Sequence, residues 1–226
     1  MKVPVILQAR MGSSRLPGKS LREIEGKPLL QWVIERLRLS LSGEVILATT
    51  RKGEDDPLAS LAERLGVPVF RGSESDVLSR YYRVSLLYPA PYYVRATGDN
   101  PLVDPGSIDR LLKVIEGGGI DYALEKGLPY GGATEIFTRQ ALHLCYRLGT
   151  AQDEKEHVTL FMKRTPELFK ALYPDAPEEL LAPLLRLTVD TEEDLLRVQR
   201  IYKRYHGERG VELPRVVADY REGGEI

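Results

Sequence analysis

The chain has 226 residues, of which 32 are basic and 33 acidic, so its formal net charge is −1. This balance argues against a general nucleic-acid binder, which needs an excess of positive charge over the whole domain. A single cysteine excludes an internal disulfide, and together with only three scattered histidines it excludes a structural zinc site. The length corresponds to about one and a half average domains, so we expect one α/β domain with a small appendage.

The first apolar run, residues 3–7, is short and is followed by polar residues. A run of this length suits neither a secretion signal nor a membrane span. We therefore expect a cytoplasmic protein that has neither a membrane nor a nucleic acid as its partner.

The first half of the chain alternates between two hydrophobic periodicities. Short continuous apolar runs predict buried strands, whereas apolar residues spaced three and four apart predict helices. A β-α-β-α-β order of this kind is typical of a three-layer α/β fold, in which helices cover both faces of a mostly parallel sheet. The predicted strands are 3–7, 44–48, 67–70, 92–95 and 120–123, and the predicted helices are 29–37, 56–65 (capped by Asp56, with Pro57 first), 75–87 and 105–115.

The pattern is looser after residue 124, where glycine and proline are frequent. We expect one domain over residues 1–226, with a small subdomain inserted at about 124–180 before the last strand. The elements predicted here are strands at 134–137 and 184–189 and helices at 138–148, 152–164 and 191–205.

Ligands of open α/β sheets bind at the carboxyl ends of the strands, which are followed here by loops at 8–19, 97–104 and 190–194. The first of these loops carries Arg10, Arg15 and Lys19 and no acidic residue. Its Gly12 and Ser13 let backbone N–H groups approach an anion closely. The loop therefore predicts a polyphosphate site, and the alternative is a solvated basic surface loop.

Two familiar phosphate-binding motifs do not fit this loop. The Gly-x-Gly-x-x-Gly pattern is absent after the first strand, which argues against a dinucleotide dehydrogenase. The stretch from Gly12 to Gly18-Lys19-Ser20 has five residues between the glycines, whereas a P-loop has four. A P-loop hydrolase therefore remains only an alternative.

Five segments in order along the chain together point to a known family. They are LQARMGSSRLPGKSL at 7–21, FRGSESDVL at 70–78, RATGDNPL at 95–102, EHVT at 156–159 and LTVDTEED at 187–194. These segments resemble the spore-coat polysaccharide biosynthesis protein F family. Its relatives are the cytidylyltransferases that make CMP-activated acidic sugars, such as CMP-3-deoxy-manno-octulosonate synthetase and acylneuraminate cytidylyltransferase. The resemblance implies a nucleotide-diphospho-sugar transferase (Rossmann-like) fold.

Acidic residues follow two of the predicted strands, and the resemblance assigns a metal to them. Asp99 and Asp190 stand at strand ends, where they can converge on one cleft, and Mg²⁺ takes carboxylate and phosphate oxygens. Structural roles compete, because Asp99 precedes Asn100-Pro101 in a turn-like sequence and Asp190 adjoins a helix start. Capping accounts for other acids, which are Asp104 before Pro105, Asp76 with Ser73, Asp153 with Thr150, and Glu192, Glu193 and Asp194 with Thr191.

The resemblance also implies the remaining site residues. Arg10 and Lys19 are the predicted catalytic residues, which stabilise the transferring and leaving phosphates with assistance from Arg15. Residues 124–165 are the predicted contact of a homodimer. The predicted nucleotide-binding residues are Gln8, Ala9, Arg10, Gly12, Ser13, Arg15, Lys19, Ser73, Thr97 and Asp99, and the predicted sugar-binding residues are Asn100, Glu135 and His157.

The function predicted from these residues is Mg²⁺-dependent transfer of CMP from CTP to an acidic sugar for a surface polysaccharide, with release of pyrophosphate. The alternatives are a non-catalytic nucleotide-binding or scaffold protein of a polysaccharide pathway, or a P-loop-like NTP hydrolase. His143, His206 and Cys145 are interpreted as structural, and Trp32 as a core residue.

Overall fold

The protein is described by a computed structural model over residues 2–207, 210–224 and 226. The strands are β1 Val3–Gln8, β2 Glu23–Ile24, β3 Lys27–Pro28, β4 Gly43–Thr50, β5 Val69–Gly72, β6 Tyr92–Thr97, β7 Tyr122–Leu124, β8 Glu135–Thr138, β9 Ala171–Leu172, β10 His206–Gly207 and β11 Gly210–Val211. The helices are α1 Leu29–Leu37, α2 Asp56–Arg64, α3 Val77–Leu87, α4 Pro105–Glu116, α5 Arg139–Leu148, α6 Gln152–Glu156, α7 Leu160–Arg164, α8 Glu192–Tyr205 and α9 Leu213–Arg221.

A central sheet with strand order β5-β4-β1-β6-β8-β7-β9 organises the fold. All its neighbouring strands run parallel except β8, which is antiparallel to both β6 and β7. In register, Gln8 lies opposite Ala48 on one side and Thr97 on the other. The ends of β1, β4 and β6 therefore meet at one edge, where the loops that follow them share a surface.

Each face of the sheet carries its own hydrophobic core, which confirms the predicted three layers and mostly parallel sheet. One core packs β1 and β4 residues against α1, α2, α4, α8 and α9 and includes Trp32, as predicted. The other core packs β6, β7 and β8 residues against α3, α5 and α7, with Tyr81, Tyr93 and Phe137 fully buried. Apolar residues thus cover both faces, as continuous apolar strands require.

The predicted strand at 184–189 is wrong. This segment runs irregularly, although Leu185, Leu187 and Val189 are buried in the larger core. Its backbone forms hydrogen bonds with two loops rather than with a strand. The Leu187 N–H donates to the Tyr130 carbonyl, and the Val189 N–H donates to the Asp99 carbonyl (2.8 Å each). The alternating apolar residues therefore reflect burial on one side without a strand ladder.

Other boundaries also differ from the prediction. The predicted helix 152–164 is divided into α6 and α7 at residues 157–159, and α9 was not predicted. The strand predicted at 67–70 is β5, two residues later, and that predicted at 120–123 is β7. Segment 124–180 contributes β8 and β9 to the central sheet. No helix among the described residues is both long and apolar enough to cross a membrane.

Two of the predicted helix caps are confirmed. Asp104 caps α4 through its side chain, and Thr191 forms a capping box with Asp194 at α8. The predicted cap of α3 by Ser73 is wrong, because the helix begins three residues later and Asp76 caps it. Two predicted caps are shifted by one residue. Asp55, not Asp56, precedes α2, and α6 begins after Ala151 with the Glu154 carboxylate accepting from the Ala151 N–H.

Candidate active site

A cleft of about 630 Å³ opens at the carboxyl ends of β1 and β6. Its size suits a nucleotide-sized ligand. The loops after both strands and residues from β8, α6 and the 188–190 segment form its walls. The structure brings together here most of the predicted site residues, namely Gln8, Ala9, Arg10, Ser13, Arg15, Lys19, Thr97, Asp99, Asn100, Glu135, His157 and Asp190.

The basic loop after β1 is folded around one carbonyl group. Met11 C=O accepts hydrogen bonds from the N–H groups of Ser13 (2.8 Å) and Gly18 (3.1 Å). Gly18 has a φ of 69°, a conformation that favours glycine. The Met11 N–H donates to the fully buried Asp55 carboxylate (2.7 Å), which Thr50 also contacts. The loop is thus anchored to the start of α2.

Lys19 occupies the centre of the site. Its ammonium group lies 3.0 Å from Asp99 Oδ2 and 3.0 Å from Asp190 Oδ1, and it also donates to the Val189 carbonyl (2.8 Å). Only 12% of its side chain is exposed. Residues that are 80 and 171 positions away from Lys19 in sequence therefore converge on a single cation.

Asp190 carries more positive neighbours than Asp99. Arg15 lies 2.9 Å from its Oδ1, and Arg186 donates to its Oδ2 at 2.7 Å. Burial alone raises the pKa of the Asp190 carboxyl, but the hydrogen bond and charge of Lys19, with Arg15 and Arg186, outweigh burial and hold this pKa below its ordinary value. Asp190 is therefore ionised at neutral pH and available as an anionic ligand.

The other predicted side chains lie around this centre. Thr97 Oγ1 donates to Asp99 Oδ1 (2.6 Å) and accepts from Asn100 Nδ2 (2.8 Å), which fixes the orientation of the carboxylate. Arg10, with 40% of its side chain exposed, lies 3.7 Å from Glu74 and 3.9 Å from Glu156. These long ion pairs leave the Arg10 guanidinium free to turn toward a phosphate.

The pair of aspartates has the chemistry of a site for Mg²⁺, a hard cation that binds oxygen ligands. Both carboxylates already contact one cation, the Lys19 ammonium, so they are close enough to share another. Mg²⁺ usually takes one or two carboxylates together with substrate phosphates and waters. Among the residues that the structure describes there is no cluster of three or more acidic, histidine or cysteine ligands. The donor set therefore fits a metal that arrives with a polyphosphate.

The far side of the cleft contains a charge network centred on the buried Glu135. Its carboxylate accepts from Arg95 Nη1 (3.1 Å), Lys163 Nζ (2.5 Å), Thr159 Oγ1 (2.8 Å) and Tyr122 OH (3.0 Å). Burial raises the pKa of Glu135, but the charges of Arg95 and Lys163 and these hydrogen bonds outweigh it and lower the pKa to about 2. Glu135 is thus ionised and saturated with donors, which suits a positioning role.

Two predicted nucleotide-binding residues do not line this cleft. Gly12 adjoins the carboxylates of Glu54 and Glu74, which lie about 3.4 and 3.5 Å from where its Cβ would be. Ser73 is exposed, and its hydroxyl accepts from the Asp76 N–H (3.2 Å) and lies 3.4 Å from the Ser75 hydroxyl, so its observed contacts are within the turn that precedes α3. His157 does line the cleft, but it is exposed at the end of α6.

Sequence reasoning missed several cleft residues, including Arg80, Arg95, Tyr130 and Thr188. Arg80 is buried on α3 and donates to backbone carbonyls of the 73–74 turn. Arg95 had a signal, because it is a charged residue inside the apolar run of β6, where burial is costly without a function or a partner. Tyr130 lies in the glycine-rich stretch and carried no comparable signal.

The histidines and the cysteine away from the cleft have structural contacts, as predicted. His143 Nε2 hydrogen-bonds the Ser85 hydroxyl (2.9 Å), Cys145 is buried in the smaller core, and the His206 ring packs against Trp32 with centroids 5.2 Å apart.

Comparison with known proteins gives the family. A family model described as cytidylyltransferase matches residues 4–209. The chain is 37% identical over 210 residues to the spore coat polysaccharide biosynthesis protein SpsF of Bacillus subtilis (strain 168), covering 90% of this chain and 87% of that protein.

Solved structures agree with this match. A cytidylyltransferase from Leptospira borgpetersenii superposes with a TM-score of 0.89 at 30% identity, covering 99% of this chain and 95% of that chain. The CMP:2-keto-3-deoxy-manno-octonic acid synthetase complexed with CTP shares the fold, with a TM-score of 0.67 at 20% identity over 90% of this chain and 99% of that chain. The predicted nucleotidyltransferase fold is thus confirmed, and the chain belongs to the cytidylyltransferase family and is a nucleotidyltransferase.

Proposed function

We propose that this protein transfers CMP from CTP to the hydroxyl group of an acidic sugar and releases pyrophosphate, in a pathway of surface polysaccharide synthesis. The observation that carries the proposal is the convergence of Lys19, Asp99 and Asp190 at the carboxyl end of β1. The loop that carries Lys19 also carries two arginines. Two relatives support the choice of substrates, since one is named for spore coat polysaccharide and the other was solved with CTP.

The reaction is an in-line displacement at phosphorus. The acceptor oxygen forms a bond to the α-phosphorus, the bond from that phosphorus to the bridging oxygen breaks, and pyrophosphate leaves while the hydroxyl loses its proton. Such a reaction needs positioning and charge stabilisation more than a covalent catalyst. Arg10, Arg15 and Lys19 provide three positive charges at the first loop, where the phosphates bind.

Asp99 and Asp190 would hold Mg²⁺ beside these phosphates. When bound, the ion supplies Lewis-acid stabilisation of phosphate oxygens. The chain's own contribution is to orient the two carboxylates, which Thr97 does for Asp99 and Arg186 does for Asp190. Gln8, Ala9 and Ser13 form the adjoining nucleotide-binding wall, and Asn100, Glu135 and His157 belong to the acceptor side.

A homodimer formed through residues 124–165 and a cytoplasmic location remain predictions. In that segment Tyr146 and Leu148 of α5 expose 38% and 43% of their surface. Light scattering that gives a mass of two chains supports the dimer, and a mass of about 25.5 kDa contradicts it.

Nucleotide binding is tested by thermal unfolding with CTP, UTP, GTP, ATP and dTTP, each with and without Mg²⁺. A ligand at 100 times its dissociation constant stabilises a folded protein by about 2.7 kcal/mol, which raises the melting temperature measurably. We expect CTP with Mg²⁺ to give the largest shift and EDTA to abolish most of it.

The same experiment separates the alternative functions. Stabilisation by CTP that is indifferent to EDTA favours a non-catalytic nucleotide-binding protein. Phosphate release from ATP or GTP without an acceptor favours a hydrolase. No shift with any of the nucleotides contradicts the proposal.

A further inference from the structure

The cations that line the cleft fall into two groups. Arg10, Arg15 and Lys19 lie on the loop after β1, and Arg80 lies on α3. Arg95 is different, because it lies on β6, directly opposite Glu135 of β8. Within the described part of the chain, it is the one arginine or lysine that β6, β7 or β8 contributes to the cleft wall. The acceptor side of the cleft therefore has its own positive group, distinct from those of the phosphate loop.

The guanidinium of Arg95 is only partly satisfied. Its Nη1 donates to Glu135 Oε2 at 3.1 Å, whereas its Nε is buried and has no partner. Its Nη2 makes no hydrogen bond with any residue that the structure describes and, unlike Nε, is not buried. Buried donors without a partner are uncommon, because they lose their hydration without replacement. The free Nε–H thus points to a missing acceptor group.

Glu135 cannot provide the missing acceptor. Its two oxygens already take Lys163, Thr159 and Tyr122 in addition to Arg95 Nη1. Two cations, Arg95 and Lys163, share this single carboxylate, so the network carries one uncompensated positive charge. An anion that binds at the free edge of Arg95 completes both the hydrogen bonding and the charge balance.

The arrangement of Nε and Nη2 on the Arg95 guanidinium determines which kind of anion it binds best. Nε and Nη2 stand side by side on one edge of the planar guanidinium, and their two N–H bonds run nearly parallel. A carboxylate is planar and accepts such a pair through both oxygens, which makes the contact bidentate and specific. Arg95 also lies on the same strand as Thr97, whose hydroxyl holds Asp99, so an acceptor bound here extends toward the phosphates.

We propose that the Nε–Nη2 edge of Arg95 binds the carboxylate of the sugar acceptor and makes the enzyme selective for sugar acids over neutral sugars. This inference rests on the proposed function and deepens it, because it assigns the acid group to one residue. Glu135 and Lys163 are positioning residues that hold the guanidinium with this edge free.

The test follows the Arg95 Nε–H group by nitrogen-15 NMR, where the signal that disappears in Arg95→Lys is that of Arg95. The probes are 3-deoxy-manno-octulosonate, N-acetylneuraminate, the methyl esters of both, and glucose 1-phosphate. Each is titrated with and without Mg²⁺ and a CTP analogue that has a methylene group between the α- and β-phosphorus. We expect at least one acid to shift the Arg95 signal saturably and its ester to leave the signal unchanged.

Substitutions of Arg95 measure how much its guanidinium contributes to the affinity for the sugar acid. Arg95→Gln should weaken the binding of that acid by about 10- to 100-fold, the usual range for losing a charged hydrogen-bonding partner. Arg95→Lys keeps the charge and loses the bidentate edge, so it should bind with intermediate affinity. Affinity for the CTP analogue should stay within about twofold in both variants, which also shows that the variants fold.

The outcomes separate this inference from the proposed function. If neither acid moves the Arg95 signal, if ester and acid act alike, or if only glucose 1-phosphate binds there, the carboxylate subsite is wrong. If an acid binds at Arg95 and the CTP analogue does not bind to the wild-type protein, the subsite stands and the proposed function is wrong. If the analogue binds and no acid reaches Arg95, only the subsite is lost.

Discussion

Replacing Asp99 by alanine should lower kcat by about 10²- to 10³-fold and leave the fold intact, which is the usual effect of removing one well-placed group that stabilises charge in a transition state. Asp99 lies in a loop after β6, and its Oδ2 accepts a hydrogen bond from the Lys19 ammonium. In the variant, Lys19 keeps Asp190 and the Val189 carbonyl as partners. The loss should therefore appear in turnover rather than in stability.

The measurement is pyrophosphate release with increasing Mg²⁺, compared with thermal unfolding of the same protein. Asp99→Asn keeps the shape of the side chain and removes its charge, so it should lose nearly as much activity. Glu192→Gln is the matched control, because it removes a carboxylate outside the cleft that is paired with Arg22 at 2.6 Å. An Asp99→Ala protein that keeps more than about a tenth of the wild-type kcat is inconsistent with the metal assignment.

Replacing Lys19 by methionine should lower kcat/KM for CTP by a similar 10²- to 10³-fold factor. It should also change metal binding in the absence of nucleotide. The Lys19 ammonium contacts both Asp99 and Asp190, so it competes with a divalent cation for the same oxygens. With the ammonium gone, Asp99 loses its ion pair while Asp190 keeps those with Arg15 and Arg186. The oxygens that Lys19 held are then open to a metal, and Mg²⁺ alone should stabilise the variant more than the wild type.

Thermal unfolding in Mg²⁺ and in EDTA measures the second effect directly. Lys27→Met is the control, since Lys27 pairs with Glu35 at 2.9 Å outside the cleft and its removal also takes one ammonium group from the protein. Equal stabilisation of the Lys19→Met and wild-type proteins by Mg²⁺ means that the ammonium and the metal do not share ligands.

Much of the fold could be predicted because its buried elements have clear periodicities. The strand at 3–7 and the helix at 29–37 are β1 and α1, and the strands predicted at 44–48 and 92–95 lie within β4 and β6. The segment at 184–189 was misread because burial on one side produces the same alternation whether or not a strand pairs with it. The helix at 152–164 was misread because helical spacing continues across the break at residues 157–159.

The charged part of the site was predictable for a topological reason. Parallel strands end at the same edge of a sheet, so polar residues after β1 and β6 had to lie close together. Asp190 lies at the same place for a different reason. The 184–189 segment packs on the core, and its Val189 N–H donates a hydrogen bond to the Asp99 carbonyl at 2.8 Å. Residue type and position in the sheet were therefore sufficient to predict that Lys19 and Asp99 lie together in the cleft.

The side of the cleft that contains Arg95 and Glu135 depends on residue pairings that no local sequence pattern contains. Arg95 meets Glu135 because β8 runs antiparallel beside β6, and the connection between them is 37 residues long. Lys163 and Thr159 reach the same carboxylate because the helix is interrupted between α6 and α7. These contacts result from tertiary packing, so the sequence alone left the role of Arg95 open.

The central claim is cytidylyl transfer, and the most direct measurement is product formation from CTP labelled at the α-phosphate. The purified protein is incubated with labelled CTP, Mg²⁺ and each of a panel of acidic sugars, with UTP, ATP and EDTA reactions in parallel. We expect the label to appear in a CMP-sugar with equimolar pyrophosphate, only with CTP, metal and a sugar acid together. Release of labelled CMP or CDP without any acceptor, or transfer that proceeds equally well from ATP or UTP, contradicts the claim.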